Sequence, residues 1–178
     1  MRKITLGLLL SVFCLLFTGC GSSTDKPEAA MPKMFPAFQT TDTNDQPISN
    51  EIFKQYDLTL VNVWGTYCAP CKEELPALEK LSKEMKDQNV QILGIVSDGR
   101  EQEVTAYRMM KEMNLTFTNV IPTDELMKQL QKRLIGIPSS ILVNKKGGIV
   151  GELVTGARTE EQYRTMINDL RKKEAVKQ

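Results

Sequence analysis

The chain has no histidine in 178 residues, and that absence removes whole classes of chemistry. It excludes a Ser-His-Asp triad, a Cys-His protease dyad, a Cys₂His₂ or His₃ zinc site and a histidine-ligated haem. Excess charge of either sign is missing too. The 23 Lys+Arg and 22 Asp+Glu leave a net +1, with no basic surplus to neutralise nucleic-acid phosphates. No internal repeat of 20–50 residues appears, which argues against a solenoid or propeller. The apolar run from Ile4 to Phe17 covers 14 residues, short of the ~20 that span a hydrocarbon core. What remains is ordinary for a globular protein, with 41% hydrophobic and 25% charged residues. The length suits one domain with a sizeable core and room for a targeting segment.

The N-terminus has the form of such a segment. Met1-Arg2-Lys3 supplies positive charge, and Ile4 to Phe17 suits a signal-peptide h-region. Leu16-Phe17-Thr18-Gly19-Cys20 follows, then Gly21-Ser22-Ser23. This resembles the bacterial lipoprotein signal, in which the cysteine is acylated and the chain is cut before it, with Phe17 where leucine is usual. The resemblance implies a signal peptide at 1–19, a lipidated Cys20 and a tether through 34, and two acyl chains anchor stably. Gly21 to Met34 can reach roughly 45 Å when extended. A mature chain without Arg2 and Lys3 carries 21 basic and 22 acidic side chains, a net −1. The folded domain is expected over 35–178, close to the outer face of a membrane.

Within that domain the pattern alternates between strand and helix. Leu58 to Trp64 is a buried-strand run, and Ala69 to about Lys86 reads as a helix with Leu78, Leu81 and Met85 on one face. Val90 to Ser97 is a second strand, which closes a right-handed, parallel β-α-β unit. A helix over about 101–113 and a strand over 117–121 come next, then a helix over 125–134. Ser139 to Val143 and Ile149 to Val154 form a hairpin around Asn144-Lys-Lys-Gly-Gly148. Thr159 and Gln162 make a capping box for a last helix whose Tyr163, Met166, Ile167 and Leu170 face the sheet. Upstream, 36–56 suggests an entry strand, an Asn-Asp turn and a short helix. The class is α/β with a mixed sheet. Met109, Met110 and Met113 share a helical face with Ala106, a spacing that fits core packing better than a soft metal site.

The chemistry is concentrated in one turn, Trp64-Gly-Thr-Tyr-Cys68-Ala-Pro-Cys71-Lys-Glu-Glu74-Leu-Pro76. Cys-x-x-Cys between a strand and a helix puts Cys68 at the helix N-terminus, where unpaired N–H groups and the helix dipole favour a thiolate. A depressed pKa makes Cys68 both a nucleophile and a leaving group. Cys71 lies one turn further on, placed to attack a mixed disulfide at Cys68. The competing reading as half a zinc site needs two more ligands, and without histidine only Cys20 is on offer besides Cys14, which leaves with the signal. A purely structural disulfide would close a loop of four residues and constrain the unfolded chain little.

These residues resemble the thioredoxin superfamily, and the similarity extends from about Pro36 to the last helix. Pro76 falls at that family's helix-kinking proline, where it removes the hydrogen bond to the Lys72 carbonyl. Gly136-Ile137-Pro138 matches its cis-proline segment. The resemblance implies that Ile137 and Pro138 pair with a substrate chain, and that Trp64 and Tyr67 border the exposed sulfur. Core packing is the competing reading for both aromatics. Asn62 stands where thioredoxin has a buried aspartate, so the proton-acceptor role is vacant or moved. The stretch between Cys71 and Pro138 is longer than in simple thioredoxin, an extra helix and strand over about 98–121. Both departures are similar to the TlpA/ResA group of membrane-tethered thiol-disulfide oxidoreductases, which carries a glutamate three residues after the second cysteine. Glu74 matches it, on the same helical face as Cys71. A partly desolvated carboxylate there would hold a raised pKa and accept the Cys71 proton. A solvated helix charge beside Glu73 is the competing reading.

The expectation is therefore a lipid-anchored, extracytoplasmic reductase: Cys68 attacks, Cys71 resolves and Glu74 handles the proton. The resemblance implies electrons from a CcdA/DsbD-like membrane protein. It also implies exported clients, such as apocytochrome c cysteines or methionine sulfoxide reductases. No metal or other cofactor and no nucleic acid is expected, and the chain is read as a monomer. A disulfide-forming oxidase or isomerase would use the same cysteines. A copper chaperone of the Sco type would use Cys-x-x-x-Cys and a distant histidine, and neither is present.

Overall fold

A computed structural model of the chain describes residues 33–175. The signal, Cys20 and nearly all of the tether lie outside the described residues. One seven-stranded mixed sheet runs through the domain in the order β2-β1-β5-β4-β3-β6-β7. The strands are β1 (Gln39–Asp42), β2 (Pro47–Ser49), β3 (Leu58–Trp64), β4 (Val90–Val96), β5 (Thr118–Ile121), β6 (Ser139–Asn144) and β7 (Ile149–Thr155). The helices are α1 (Ala69–Met85), α2 (Glu103–Glu112), α3 (Asp124–Gln131) and α4 (Glu160–Ala175). β3 pairs parallel with β4 and antiparallel with β6. The additional α2 and β5 extend the sheet, with β5 parallel to β4 and antiparallel to β1.

Central strands buried on both faces read as continuous apolar runs, as β3 and β4 do. Their alternation divides the core into two layers. Leu58, Leu60, Trp64, Ile92 and Val96 meet Leu75, Leu78 and Leu81 of α1 with Tyr163 and Ile167 of α4. Val61, Val63, Leu93 and Ile95 meet Phe35, Phe38 and Phe53 with Leu126 and Leu130 of α3. The α2 methionines are core residues. Met110 is buried and Met109 and Met113 pack against the first layer.

Several ends differ from the sequence reading by a few residues, and each has a local cause. α2 begins at Glu103 because 98–102 form a turn, in which the Gln102 N–H donates to the Asp98 carbonyl at 2.8 Å. α3 begins at Asp124 because Thr123 accepts from the Leu126 N–H at 3.2 Å. It stops at Gln131, where the N–H groups of Arg133 and Leu134 both turn to the Leu130 carbonyl. The Thr159/Gln162 box forms reciprocally, at 2.9 and 3.3 Å. Asn144 closes the β6–β7 turn by accepting from the N–H groups of Lys146 and Gly148, with Gly147 at φ +79°. Packing takes in Lys33 and Met34 too, since the Ile149 N–H donates to the Lys33 carbonyl and Met34 bridges Gly148.

Candidate active site

β3 ends at Trp64, the chain turns through Gly65-Thr66-Tyr67, and α1 starts behind Cys68 as its N-cap. Cys68 and Cys71 are joined as a disulfide of 2.04 Å. The Cys71 N–H points at the Cys68 sulfur, 3.2 Å away. This helix-terminal donor faces the Cys68 sulfur, a setting that favours negative charge there. Cys71 is fully buried and Cys68 retains slight exposure. Pro70 occupies the first turn, where a missing N–H costs nothing.

Two neighbours hold the turn in place. Asp98, just past β4, accepts from the Thr66 N–H at 3.0 Å and from its hydroxyl at 2.5 Å. A Cβ on Gly65 would lie 2.9, 3.0 and 3.1 Å from Ser97 Oγ, Ile137 Cδ1 and Tyr67 Cε1. Glycine lets these three side chains close over the turn, and a Cβ here would have to push them apart. The Ile137–Pro138 bond is cis. Ile137 is half-buried and Pro138 buried, beside the cysteine turn. Tyr67 is 73% exposed and Ile135, which sequence reasoning passed over, is 89% exposed. Tyr67 and Ile137 converge beside Gly65 as an apolar rim, and Ile135 stands two residues before Ile137 in the same loop.

Trp64 is not part of that rim. Its side chain has 0% exposure, and its Nε1–H donates to Asn119 Oδ1 of β5 at 2.9 Å. The alternation of β3 points residue 64 into the buried layer that also holds Cys68 and Cys71, the core-packing reading of this residue. Gly94 opposite has no Cβ, and one would fall 1.9 Å from Asn119 Oδ1, which is how the amide reaches the indole.

Glu74 is buried, at 2% exposure, and not a solvated helix charge. Its place on α1 puts it with Cys71, Leu75 and Leu78 among the buried positions. Asn62 Nδ2 donates to Oε1 at 2.7 Å, the Tyr163 hydroxyl to Oε2 at 2.9 Å and the Arg158 N–H to Oε2 at 3.0 Å. Burial raises the carboxyl's pKa above its ordinary 4.5, against the lowering effect of those three donors and of the Arg158 guanidinium. Burial and the adjacent Glu74 charge raise Tyr163 well above its ordinary range, so it remains a neutral donor. Among the described residues Asn62 Oδ1 has no hydrogen-bond partner, so the amide is held here through its N–H₂ group. Asn62 thus serves as a donor to the Glu74 carboxylate. Tyr163, Ser140 and the Arg158 amide were not identified as site residues from sequence. The available signal was a phenol on an otherwise apolar helix face, since a buried hydroxyl needs a partner.

A disulfide-linked cysteine pair at a helix N-terminus, faced by a cis-proline loop and backed by a buried carboxyl against this sheet, defines a thioredoxin-fold thiol-disulfide oxidoreductase. The chain belongs to the redoxin family, in the TlpA/ResA-like group of the thioredoxin superfamily. The Redoxin family model matches residues 29–167. The thiol-disulfide oxidoreductase ResA of Bacillus subtilis (strain 168) is 30% identical over 173 residues, covering 93% of this chain and 90% of that one. ResA of Bacillus cereus (strain ATCC 10987 / NRS 248) is 31% identical over 163 residues, covering 90% of each chain. Among solved structures, StoA from Bacillus subtilis superposes with a TM-score of 0.62 at 29% identity, over 75% of this chain and 98% of that one. A thiol:disulfide interchange protein from Chlorobium tepidum TLS shares the fold, with a TM-score of 0.69 at 23% identity over 79% and 97%. No helix among the described residues is long and apolar enough to cross a membrane.

Proposed function

We propose that this oxidoreductase reduces disulfides of exported proteins while tethered to the outer face of the cytoplasmic membrane through a lipidated Cys20. The observation that carries the reductase chemistry is the buried Glu74 carboxyl, three residues beyond the inner cysteine. In the reduced enzyme the Cys68 thiolate attacks one sulfur of a client disulfide, and the other client sulfur leaves as a thiolate. Cys71 gives its proton to Glu74, and its sulfur attacks Cys68. That closes the Cys68–Cys71 disulfide and releases the client's second thiolate. Two electrons pass from the enzyme to the client. Tyr67, Ile135 and Ile137 offer the apolar surface on which a client segment lies, with Pro138 behind them. The oxidised enzyme is recharged by a dithiol donor in the membrane, of the CcdA/DsbD-like kind. Clients of apocytochrome c or methionine sulfoxide reductase type match an anchored enzyme of this group.

Cys71→Ser removes the resolving sulfur, so mixed disulfides with clients accumulate on Cys68 and are seen as reducible adducts on non-reducing gels. Their absence from cells rejects the exchange mechanism. Glu74→Gln slows client reduction by about 10²-fold, the lower range for general acid–base assistance, and removes its dependence on the carboxyl's titration. Stopped-flow exchange against pH measures both. Direction is set by the reduction potential, and thioredoxin-fold couples span roughly 150 mV, about 7 kcal/mol for two electrons. A potential at the strongly oxidising end of that span turns the assignment to a disulfide-forming oxidase. Metabolic labelling with a fatty acid, lost in Cys20→Ala, tests the anchor.

A further inference from the structure

Glu74 belongs to a closed ring of four buried side chains drawn from four elements. Asn62 Nδ2 reaches Glu74 Oε1 at 2.7 Å and Ser140 Oγ at 3.1 Å, Ser140 Oγ lies 2.9 Å from the Tyr163 hydroxyl, and that hydroxyl lies 2.9 Å from Glu74 Oε2. The topology makes the ring. Asn62 of β3 and Ser140 of β6 are paired in register on the face covered by α1 and α4. Glu74 and Tyr163 project onto them from those helices.

The hydroxyls in this ring have a property its other members lack. Asn62 only donates along its two edges, whereas each hydroxyl both donates and accepts. With Glu74 ionised, Ser140 donates to Tyr163 and Tyr163 donates to Oε2. With a proton on Oε2, Glu74 donates to Tyr163 and Tyr163 donates to Ser140. The four edges of the ring survive in both states and no heavy atom has to move; in the second Ser140 accepts from both Asn62 and Tyr163, and its own hydrogen swings out of the ring. We propose that Tyr163 and Ser140 are positioning residues, a reversible hydroxyl pair that lets Glu74 gain and lose a proton inside the core without breaking its hydrogen bonds.

This rests on the reading of Glu74 as the proton acceptor for Cys71, and it adds how a buried carboxyl fills that role repeatedly. A lone buried carboxyl pays for each charge change through desolvation, and a ring that re-pairs in either state reduces that cost. It also accounts for asparagine at position 62. An aspartate there would place a second carboxylate at hydrogen-bond distance from Glu74, and the two could not both ionise. The groups facing Glu74 are the neutral Asn62 and Ser140 from the sheet, Tyr163 from α4, Cys71 on its own helix and Arg158 from the loop before α4. The Arg158 guanidinium donates to the carbonyls of Gly156 and Ala157, outside the ring.

The test reads Glu74 directly, by the pH dependence of its side-chain carboxyl ¹³C signal in the oxidised protein, where neither cysteine titrates. Glu74→Gln assigns the signal by its loss. Tyr163→Phe removes the charge-assisted donor and shifts the midpoint upward. Ser140→Ala leaves the protonated state with a Tyr163 hydroxyl that has nothing to donate to, and shifts the midpoint downward. Opposite shifts support the reversible pair. Shifts in the same direction, or an unmoved midpoint in Ser140→Ala, overturn it whatever happens to the melting temperature. If Tyr163→Phe does not fold, Ser140→Ala alone decides by its sign. If the midpoints move as stated while Glu74→Gln leaves exchange rates unchanged, the ring stands and the acceptor reading falls.

Discussion

Glu74 has a thermodynamic cost that can be measured away from catalysis. Its pKa is raised in the folded protein above the 4.5 of an exposed glutamate. Between those two values the native state holds more protons than the unfolded chain, so stability falls as pH rises through that window. Below 4.5 both states are protonated, and above the native value both are ionised, with the penalty at its full size. Denaturant melts of the oxidised protein at stepped pH should show this decline, and Glu74→Gln should flatten it. A wild-type profile level from pH 4.5 to 8 removes the claim that the carboxyl is destabilised by burial. Glu79 has the opposite sign. Burial raises its pKa, but hydrogen bonds from Lys83, from the Thr116 side chain and from the N–H groups of Thr116 and Phe117 outweigh this and hold it below 4.5. Its contribution is present above 4.5 and disappears as pH falls below its native value.

The helix α1 combines active-site and structural duties along 17 residues. Its start is a cysteine cap, its first buried turn carries Cys71 and Glu74, and further on Glu79 reaches across to the inserted segment. There it accepts from the Thr116 N–H and hydroxyl, each at 2.6 Å, and from the Phe117 N–H at 3.3 Å. Glu79 therefore terminates the loop ahead of β5 with donors that have no strand partner at that point. Glu79→Ala should cost about 2–3 kcal/mol, because it leaves those donors without a charged acceptor. Urea denaturation measures it, and a loss below about 0.5 kcal/mol marks the contact as dispensable. The elements themselves were largely readable in advance. The run Leu58 to Trp64 predicts β3 over its observed bounds, since six of its seven residues are apolar or β-prone, Asn62 being the exception. Helix ends were less legible, because Gln102 supplies no side-chain cap to α2 and the end of α3 depends on a turn closed by the Leu130 carbonyl.

On the scale of the molecule, the sheet is sealed by two core layers that use different residues. One surrounds the redox site with leucines, Trp64 and Tyr163, and the other gathers three phenylalanines from the first twenty-odd described residues. Phe35, Phe38 and Phe53 meet edge-on, with centroids 5.3 to 6.2 Å apart. Phe35 also ties the N-terminal stretch to the β6–β7 turn, through its N–H on the Gly147 carbonyl at 2.9 Å. Phe35→Ala should therefore cost about 3–4 kcal/mol while leaving cysteine reactivity unchanged, since the redox site is on the opposite face. Equilibrium unfolding paired with a thiol-reactivity assay separates the two effects. A large change in reactivity would show that the layers are coupled.

The sequence by itself determined the alternating α/β class and the contiguous cysteine pair, while the cis-proline loop and the candidacy of Glu74 came from its resemblance to known motifs rather than from spacing alone. The missing histidine removed imidazole as a candidate proton acceptor without reference to the fold. Tertiary structure decided what those residues do to one another. Trp64 belongs to the core because β3 points it at α1 and α4, a direction set by strand register. Asn62 and Tyr163 lie 101 positions apart in the chain, and Ser140 is separated from both. No periodicity links such distant residues. They meet because β3 and β6 pair and two helices pack over the same patch of sheet, and burial there turns an ordinary helix glutamate into one with a raised pKa.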